Sequence, residues 1–308
     1  MIKRGLVGRI LRKMIMTKVG SLLSVIKNVE NWQDLLCVKY GLKSKADIRF
    51  RNLPLILREI TAEKSHVPFY FAKKLSLGGK LTENKLEYEG LTFLLYNPEI
   101  DVPYLYSIFV EGEYDKFSFH NKVVLDISAY IGDTSIFFAV KGAKRVYAYE
   151  PNPEIFNILV KNIELNHLQD RILPKNLAVG KDGYVDLLVS SYAPGSTLYI
   201  KRFDLKNEEI LRKVNVKSVS INTILSEVNS VDILKMDCEG CEHVVLRDMV
   251  NSGLADKVRE GLILEVHFFE RNQTIDEILN LMRLMGFRSI NVRRVSGITS
   301  FVWAYKGK

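Results

Sequence analysis

The sequence predicts an α/β protein whose core is a doubly wound, mainly parallel β-sheet. Residues 123–150 read as strand, helix and strand, with an apolar run, a short glycine-containing loop, an apolar helix and a β-branched run. Residues 154–166 have helical apolar spacing, and residues 231–237 and 262–268 have the length and composition of buried strands. Strands that alternate with helices typically build a parallel sheet, because each helix returns the chain to the same end of the sheet.

The N-terminal region is the basic part of the chain. Residues 1–85 carry 18 Lys and Arg against 6 Asp and Glu, residues 86–308 carry 26 against 30, and the net charge is +8. No acidic residue precedes Glu30. In residues 6–15 the basic and apolar side chains fall on opposite faces of a helix, which suits an anionic membrane surface. Docking of this helix on its own domain or on a second subunit explains the pattern equally well.

Short elements precede the core. Helical apolar spacing, a proline near one predicted first turn and a Gly-Gly pair mark their boundaries. The predicted elements are helices at 22–29, 32–40, 54–64 and 104–109, a strand at 48–50, a linker at 75–85 and a hairpin at 86–96. We expect three segments: a basic, mainly helical region (1–85), a hairpin with a connecting helix (86–120) and a cofactor-binding domain (121–308).

Further strands and helices follow the second core strand. Alternation with a period of two and intervening turn residues separate them. The predicted elements are strands at 172–179, 184–190, 214–221, 288–293 and 300–305, a helix at 275–285 and a mobile loop at 191–206. Long loops over strand ends usually grip substrate, so we expect this loop and the N-terminal region to shape the acceptor site.

Three cysteines, Cys37, Cys238 and Cys241, occur in the chain. Three cysteines do not make an even disulfide framework, so we expect a reducing, cytoplasmic setting. Cys238 and Cys241 form a CxxC pair, which is typical of a redox site or of half a zinc site. A second pair is missing, so we expect neither. No apolar run reaches about 18 residues, which predicts a cytoplasmic or membrane-peripheral protein without a transmembrane helix.

The loop after the first core strand indicates a nucleotide-like ligand. Asp126 ends the strand, and the loop through Gly132 lacks the GxGxxG spacing of a phosphate cradle. Glu150 ends the next strand, where a carboxylate accepts hydrogen bonds from ribose hydroxyls, and Asn176 is expected level with an adenine bound there. An acid at position 126 suits a ligand with an amino group and no phosphate, such as S-adenosylmethionine. In the alternative, Asp126 only caps the following helix.

Ionisable residues gather at two strand ends. Lys235 shares a strand face with Asp237, which brings a lysine beside a carboxylate. The cluster comprises Asp237, Glu239, Glu242 and His243 after one strand, and Glu265 and His267 on one face of the other. If the two strands are neighbours, the members other than Glu242 and His243 line one pocket. Folding alone does not readily explain so many ionisable groups at one edge.

Five ordered motifs resemble the FkbM family of S-adenosylmethionine-dependent methyltransferases over about residues 120–305: VVLDISAYIGDTS, VYAYEPNP, NLAVGKDG, VDILKMDCEGCEHVVL and LILEVHF. The resemblance implies a Rossmann-like, seven-stranded sheet of the class I methyltransferase type with one antiparallel strand. It also implies O-methylation of a hydroxyl on a sugar, glycan or other small natural product.

We expect S-adenosylmethionine to contact Asp126, Ser128, Gly132, Asp133, Thr134, Glu150, Asn152, Asn176 and Asp237. Of these, Asp126, Gly132, Asp133 and Thr134 match the family's cofactor loop, Glu150 its ribose-binding acid, and Asp237, with Glu239 and Glu242, its acidic motif.

Four positions depart from the family pattern. Members commonly have Gly at Ser128 and Asn at Tyr130, and they tend to have small aliphatic residues at Cys238 and Cys241. The Ser128 side chain either crowds the methionine moiety or binds the cofactor carboxylate through its hydroxyl. We expect weakened or adjusted cofactor binding rather than its loss.

Methyl transfer to a sugar hydroxyl gains about 10²–10⁴-fold from a base that removes the proton. We predict Glu239 or Asp237 as this base, with His267 as the next candidate. The alternative is that Asp237 only holds the cofactor and Glu239 only orders the turn. Two other functions stay open: a nucleic-acid methyltransferase, favoured by the basic N-terminal region but without an NPPY-type motif, and a non-catalytic binding protein with a degenerate cofactor site.

Overall fold

The chain forms two compact units, residues 1–112 and 113–308. The structure is a computed structural model and describes residues 19–51, 56–68, 71, 80–82, 84–190, 210–269 and 273–307. Residues 1–18, which include the predicted basic helix, and the predicted loop at 191–206 lie outside the described residues. Among the helices that the structure describes, none is both long enough and apolar enough to cross a membrane.

The first unit combines helices with two small antiparallel sheets. Its elements are α1 (Val19–Asn28), α2 (Trp32–Lys39), β1 (Lys45–Arg49), β2 (Ile56–Thr61), β3 (Lys80–Leu81), β4 (Lys85–Tyr88), β5 (Leu91–Leu94) and α3 (Pro98–Phe109). One sheet pairs β1 with β2, and the other has the order β3-β4-β5. The predicted helices at 22–29 and 32–40 and the predicted hairpin are confirmed.

The prediction of a helix at 54–64 was wrong, because β2 occupies most of that range. Leu57 and Ile60 are buried three residues apart, a spacing that imitates one helix face. The spacing arises from a β-bulge: the register with β1 shifts there, and Glu59 has a φ of +49°. Because the bulge inserts one extra residue into β2, the side chains of Leu57 and Ile60 lie on the same face of the sheet although they are three residues apart.

Helix α3 begins six residues before the predicted start at 104. Asn97 caps it by accepting the backbone N–H of Glu99 at 3.1 Å, and Pro98 occupies the first turn. Pro103 lies inside the helix, and the sequence prediction placed the start of the helix directly after it.

The second unit contains the predicted α/β core. Its elements are β6 (Val123–Ile127), α4 (Asp133–Val140), β7 (Arg145–Tyr149), α5 (Pro153–Leu165), β8 (Ile172–Lys175), β9 (Ala178–Gly180), β10 (Gly183–Ser190), β11 (Ile210–Ser220), α6 (Ile221–Val228), β12 (Val231–Met236), α7 (Glu242–Asn251), β13 (Val258–His267), α8 (Ile275–Leu284), β14 (Ser289–Arg294) and β15 (Thr299–Tyr305).

Seven strands of this unit form one sheet with the order β14-β15-β13-β12-β6-β7-β8. Strands β13, β12, β6, β7 and β8 pair in parallel, whereas β15 is antiparallel to both of its neighbours. The predicted doubly wound, seven-stranded sheet with one antiparallel strand is therefore confirmed.

Apolar side chains cover both faces of this sheet. On one face, α6, α7 and α8 pack with alternate residues of the strands, among them Val302 of β15. Phe301 therefore points to the opposite face, where it lies in an aromatic cluster with Tyr114 and the α4 residues Phe137 and Phe138. Burial on both faces explains why the central strands read as continuous apolar runs.

The predicted strand at 172–179 divides into two strands of different sheets. β8 extends the seven-stranded sheet, whereas β9 pairs in parallel with β11, which pairs with β10. The Asn176 side chain donates hydrogen bonds to the carbonyl oxygens of Glu150 and Pro151 at the end of β7, which turns the chain between the two strands.

The predicted segment 86–120 is shared between the two units. Its hairpin and helix lie in the first unit, whereas residues from 113 onwards lie in the second. Phe117 stacks on Tyr305 with ring centroids 4.4 Å apart, and Phe119 stacks on Phe138 at 4.6 Å. These aromatic contacts hold the segment before β6 on the core of the second unit.

Candidate functional site

The site lies where the sheet changes winding direction. From β6 the chain proceeds outward through β7 and β8, and from the adjacent strand β12 it proceeds outward through β13. In open α/β sheets, ligands bind at the carboxyl ends of the strands at such a switch point. A cavity opens there, lined by Ile127, Ser128, Tyr149, Pro151, Leu177, Ala178, Val179, Leu187, Cys238 and Cys241.

Asp126 is fully buried at the end of β6, and its hydrogen bonds and its ion pair come from inside the protein. Its Oδ2 accepts hydrogen bonds from the hydroxyls of Thr134, at 2.7 Å, and Ser135, at 2.6 Å. Its Oδ1 lies 3.2 Å from the ammonium nitrogen of Lys235 on β12. Asp126 therefore binds side chains in the first turn of α4 rather than its backbone N–H groups, and it forms an ion pair between the two central strands.

Lys235 is the cation of this pair and is itself 3% exposed. Its ammonium also donates a 2.9 Å hydrogen bond to the carbonyl oxygen of Ser128. Burial alone lowers the pKa of Lys235, but the carboxylates of Asp126 and Asp237 outweigh it and raise that pKa above its ordinary value. Lys235 is thus charged at neutral pH and ties β12 to the loop after β6.

The loop after β6 has an unusual backbone. Ser128, Tyr130 and Gly132 have φ values of +61°, +49° and +90°, in the left-handed region that favours glycine and tolerates asparagine. Gly at position 128 and Asn at position 130 would suit this backbone better than Ser and Tyr. At Gly132, a Cβ would also lie 2.7 Å from the side chain of Leu159.

Glu150 lies at the end of β7 and is 5% exposed. Its two carboxylate oxygens accept the backbone N–H groups of Tyr130, at 3.0 Å, and Asn152, at 2.8 Å. Burial raises the pKa of Glu150 to about 7, and the two N–H groups limit the rise. A carboxylate at this strand end, beside an apolar cavity, suits a ribose diol next to a purine ring.

Asn152 and Asp133, two further predicted cofactor residues, form hydrogen bonds at the starts of helices. Asn152 caps α5 by accepting the N–H of Glu154 at 3.1 Å, and its buried side-chain NH₂ has no hydrogen-bond partner among the described residues. Asp133 begins α4 and accepts the N–H of Thr134 at 2.8 Å. Among the predicted cofactor residues, only Ser128 lines the cavity directly.

A second group lies beside the cavity, at the ends of β12 and β13. The two strands are parallel neighbours, so the condition for one shared pocket is met. His267 is the centre of this group: its Nδ1 lies 3.2 Å from Glu242, and its Nε2 lies 3.7 Å from Glu239 and 3.9 Å from Glu265. The sequence did not predict that Glu242 contacts His267. The carboxylate of Glu242 also accepts hydrogen bonds from the backbone N–H groups of Cys238 and Gly240.

The charges of this group are coupled. Burial opposes protonation of His267, but Glu242, Glu239 and Asp237 outweigh it and raise the pKa of His267 to about 10. Burial, together with the charge of Asp237, raises the pKa of Glu265 to about 8. At neutral pH the centre therefore holds an imidazolium surrounded by acids. His243 is buried nearby, and its Nε2 lies 3.1 Å from the carbonyl oxygen of His267.

Cys238 and Cys241 form a disulfide bond, so the expectation of reduced cysteines was wrong for this pair. Glu239 and Gly240 both have positive φ, and the tight turn that results brings the Cα atoms within 5.4 Å. Cys37 is a free cysteine. Among the described residues, no group of three or more His, Cys, Asp or Glu is arranged to hold a metal ion.

Comparisons with known proteins give local and structural likenesses. A tRNA (guanine(37)-N(1))-methyltransferase of Methanocaldococcus jannaschii is 46% identical over 54 residues, which are 18% of this chain and 16% of that protein. This chain thus matches about a sixth of the length of that relative. Two solved M. jannaschii structures also match: TYW2 in complex with AdoMet (19% identity, 72% and 84% of the two chains, TM-score 0.39) and a tRNA m1G37 methyltransferase (15%, 73% and 57%, TM-score 0.40).

The family comparison covers the site itself. A profile of the methyltransferase FkbM domain matches residues 126–289, which is more than half of the chain and runs from Asp126 past His267. The chain therefore belongs to the FkbM methyltransferase family.

Proposed function

We propose that this methyltransferase methylates a hydroxyl oxygen of a sugar, glycan or other small natural product. The observation that carries the proposal is the Glu239 carboxylate beside the His267 imidazolium at the strand ends next to the cofactor cavity. A hydroxyl loses its proton during O-methylation, and a carboxylate there accepts that proton.

The carboxyl groups of the pocket support an acceptor that carries hydroxyls. Glu239 and Glu265 lie 3.7 and 3.9 Å from His267 Nε2, and the charge of Asp237 also raises the pKa values of Glu265 and His267. Carboxylates accept hydrogen bonds from the hydroxyls of a polyol, which suits a sugar acceptor.

S-adenosylmethionine, when bound, supplies an activated methyl group. The chain's own residues then position the acceptor, remove its proton and exclude water. We propose Glu239 as the base, with Asp237 as the alternative. His267 is cationic at neutral pH because of its raised pKa, so we assign it the positioning of Glu239 rather than proton removal. Glu150, Ser128, Asn152 and Asn176 are proposed to surround the nucleoside part of the cofactor.

A second candidate acceptor is a transfer RNA. Two observations favour it: the 54-residue match to a tRNA methyltransferase and the excess of Lys and Arg in residues 1–85. Basic surface attracts phosphate backbones in a strongly salt-dependent manner. The match covers a small part of that relative, so its substrate comes to this chain only as a candidate.

Transfer of labelled methyl groups separates the two candidates. The protein is incubated with methyl-tritiated S-adenosylmethionine and either a panel of sugar nucleotides and glycosides or total tRNA. We expect label in a carbohydrate, at a position that resists mild base because an ether, unlike an ester, does not hydrolyse. Label in tRNA alone, with tRNA binding that falls steeply as salt rises, would establish the second candidate instead.

A matched variant shows that the label comes from this protein. Glu150→Ala removes the carboxylate proposed for the ribose and keeps the catalytic cluster intact. We expect it to weaken S-adenosylmethionine binding at least about tenfold, which corresponds to roughly 1.4 kcal/mol. Label transfer should fall in parallel at subsaturating cofactor, and unchanged transfer would point to a contaminating enzyme.

A further inference from the structure

Cys238 and Cys241 lie on either side of a tight turn between β12 and α7, in different surroundings. Cys241 is 3% exposed and packs in the core cluster with Val245 and Leu246 of α7. Cys238 is half-buried, and both cysteines contribute to the wall of the cofactor cavity. The sulfur of Cys238 is therefore the more accessible of the two, and the sulfur of Cys241 is buried.

We propose that Cys238 and Cys241 form a reversible thiol–disulfide exchange site whose redox state controls the binding of S-adenosylmethionine. The reacting partner is a dithiol, either a small molecule or a protein with two cysteines. Control at this site depends on the cofactor and the cavity of the proposed methyltransferase, and it does not depend on which acceptor is methylated.

The exchange has a definite direction of attack. A thiolate of the dithiol attacks Cys238 Sγ, the sulfur–sulfur bond breaks, and Cys241 leaves as a thiolate that takes up a proton. The second thiolate of the partner then attacks the mixed disulfide and releases Cys238 as a thiol. Two electrons and two protons pass to the cysteines, and the partner becomes a disulfide.

The local structure suits Cys241 as the leaving group. It occupies the position immediately before α7, a helix of ten residues, where the helix dipole stabilises a thiolate and opposes the effect of burial in the apolar core. Glu242 follows it, but the charge of that carboxylate is compensated by His267 at 3.2 Å. A stabilised leaving thiolate makes a disulfide easier to reduce.

Reduction changes the cavity because two separate thiols need more room than a bridged pair. Cys241 is enclosed by the apolar core and has little space to move. Cys238 lines the cavity, so the cavity is the space into which its freed thiol would move. We therefore expect reduction to weaken cofactor binding.

Reduction also releases the turn that carries the proposed base. Between the two cysteines, Glu239 has a φ of +52°, which is unfavourable for a residue with a Cβ. The disulfide closes this turn covalently, and its loss allows Glu239 to leave the left-handed region. Its carboxylate would then move relative to His267, which now lies 3.7 Å away.

The test measures S-adenosylmethionine affinity by calorimetry in both redox states. A Cys37→Ser background removes the free cysteine, and alkylation with mass spectrometry counts the remaining thiols. We expect the Kd of the full chain to rise at least about fivefold on reduction with dithiothreitol and to return on oxidation with diamide. The same background carrying Cys238→Ser and Cys241→Ser should not respond to dithiothreitol.

Three results would overturn the proposal. They are equal affinity in the two states, a bridge in the native protein that dithiothreitol does not reduce, and a response of the double-serine variant that matches wild type. Circular dichroism melts of the reduced wild type show whether it stays folded, and unfolding on reduction would make the bridge a structural crosslink only. Failure to methylate any hydroxyl would refute the proposed acceptor and leave these binding results unaffected.

Discussion

Ser128 adopts a backbone conformation that disfavours a serine and not a glycine. Its φ is +61°, for which a residue with a Cβ loses roughly 1–2 kcal/mol. Replacing the serine by glycine relieves this loss, but glycine loses more conformational entropy on folding, which offsets about 0.4–1 kcal/mol of the stabilisation. We therefore expect Ser128→Gly to raise the free energy of unfolding by about 0.5–1 kcal/mol in urea denaturation.

Ser128→Ala is the matched control, because alanine lacks the hydroxyl and keeps the Cβ. It should leave stability close to that of wild type. Equal stabilisation by both variants would mean that the hydroxyl, not the backbone conformation, is unfavourable. Cofactor titration of the same proteins also shows whether the serine side chain narrows the cavity, since it is part of the lining.

Glu239→Gln keeps the size of the side chain and removes its capacity to take a proton. If Glu239 is the base, turnover with the true acceptor should fall by about 10²–10⁴-fold while S-adenosylmethionine affinity stays the same. Initial rates at saturating cofactor, combined with calorimetry, separate these quantities. Full turnover in both Glu239→Gln and His267→Ala would exclude base catalysis by either residue.

At the scale of single residues, the sequence identified the ionisable cluster but not its charge state. Strand periodicity predicted Asp237, Glu265 and His267, and Glu239 was predicted from its position just beyond a strand; the structure brings Glu239 and Glu265 to within 4 Å of His267. The raised pKa of His267 depends on Glu242, which begins a helix and reaches back across the turn. Periodicity within one strand carries no information on such a contact.

The end of β7 positions Glu150, whose protonation should control cofactor binding. The pKa of Glu150 in the fold is about 7, above its ordinary value of 4.5. The protonated side chain therefore contributes stability to the unliganded fold that is fully present below pH 4.5 and is lost as the pH rises through 7. Ribose hydroxyls favour the ionised carboxylate, so cofactor affinity should increase over the same rise, by about tenfold between pH 6 and 8.

Glu150→Gln is the control for this pH dependence, because an amide does not titrate. Its affinity should be lower than that of wild type above pH 7 and should vary little between pH 6 and 8. Calorimetry in buffers of matched ionic strength provides the comparison. An equally steep pH dependence in both proteins would assign the titration to another group.

At the scale of elements, long periodic segments were predictable and short ones with bulges or breaks were not. Residues 123–150 fold as predicted because apolar runs, a glycine and a turn all indicate the same structure. The bulge at Glu59 gave β2 a helical spacing, and the split between β8 and β9 depends on hydrogen bonds from Asn176 to the end of β7. Both features arise from pairing between distant segments.

At the scale of the whole molecule, the sheet order followed from the resemblance to a known family, whereas the disulfide did not follow from counting cysteines. Pairing of Cys238 with Cys241 depends on the positive φ values of Glu239 and Gly240, which place the two Cα atoms close together. Contact of the basic N-terminal helix with a membrane or a second subunit stays a prediction, since residues 1–18 lie outside the described structure.

The ion pair between Lys235 and Asp126 joins the two halves of the sheet at the switch point. Both groups are buried, and each forms further hydrogen bonds to the loop and helix after β6. Breaking a buried pair leaves an uncompensated charge, so Lys235→Met should lower the free energy of unfolding by about 3–5 kcal/mol. Adding Asp126→Asn removes that charge, so the double variant should lose less than the sum of the two single losses. Urea denaturation of the four proteins gives the coupling, and strictly additive losses would show that the pair does not hold the two halves together.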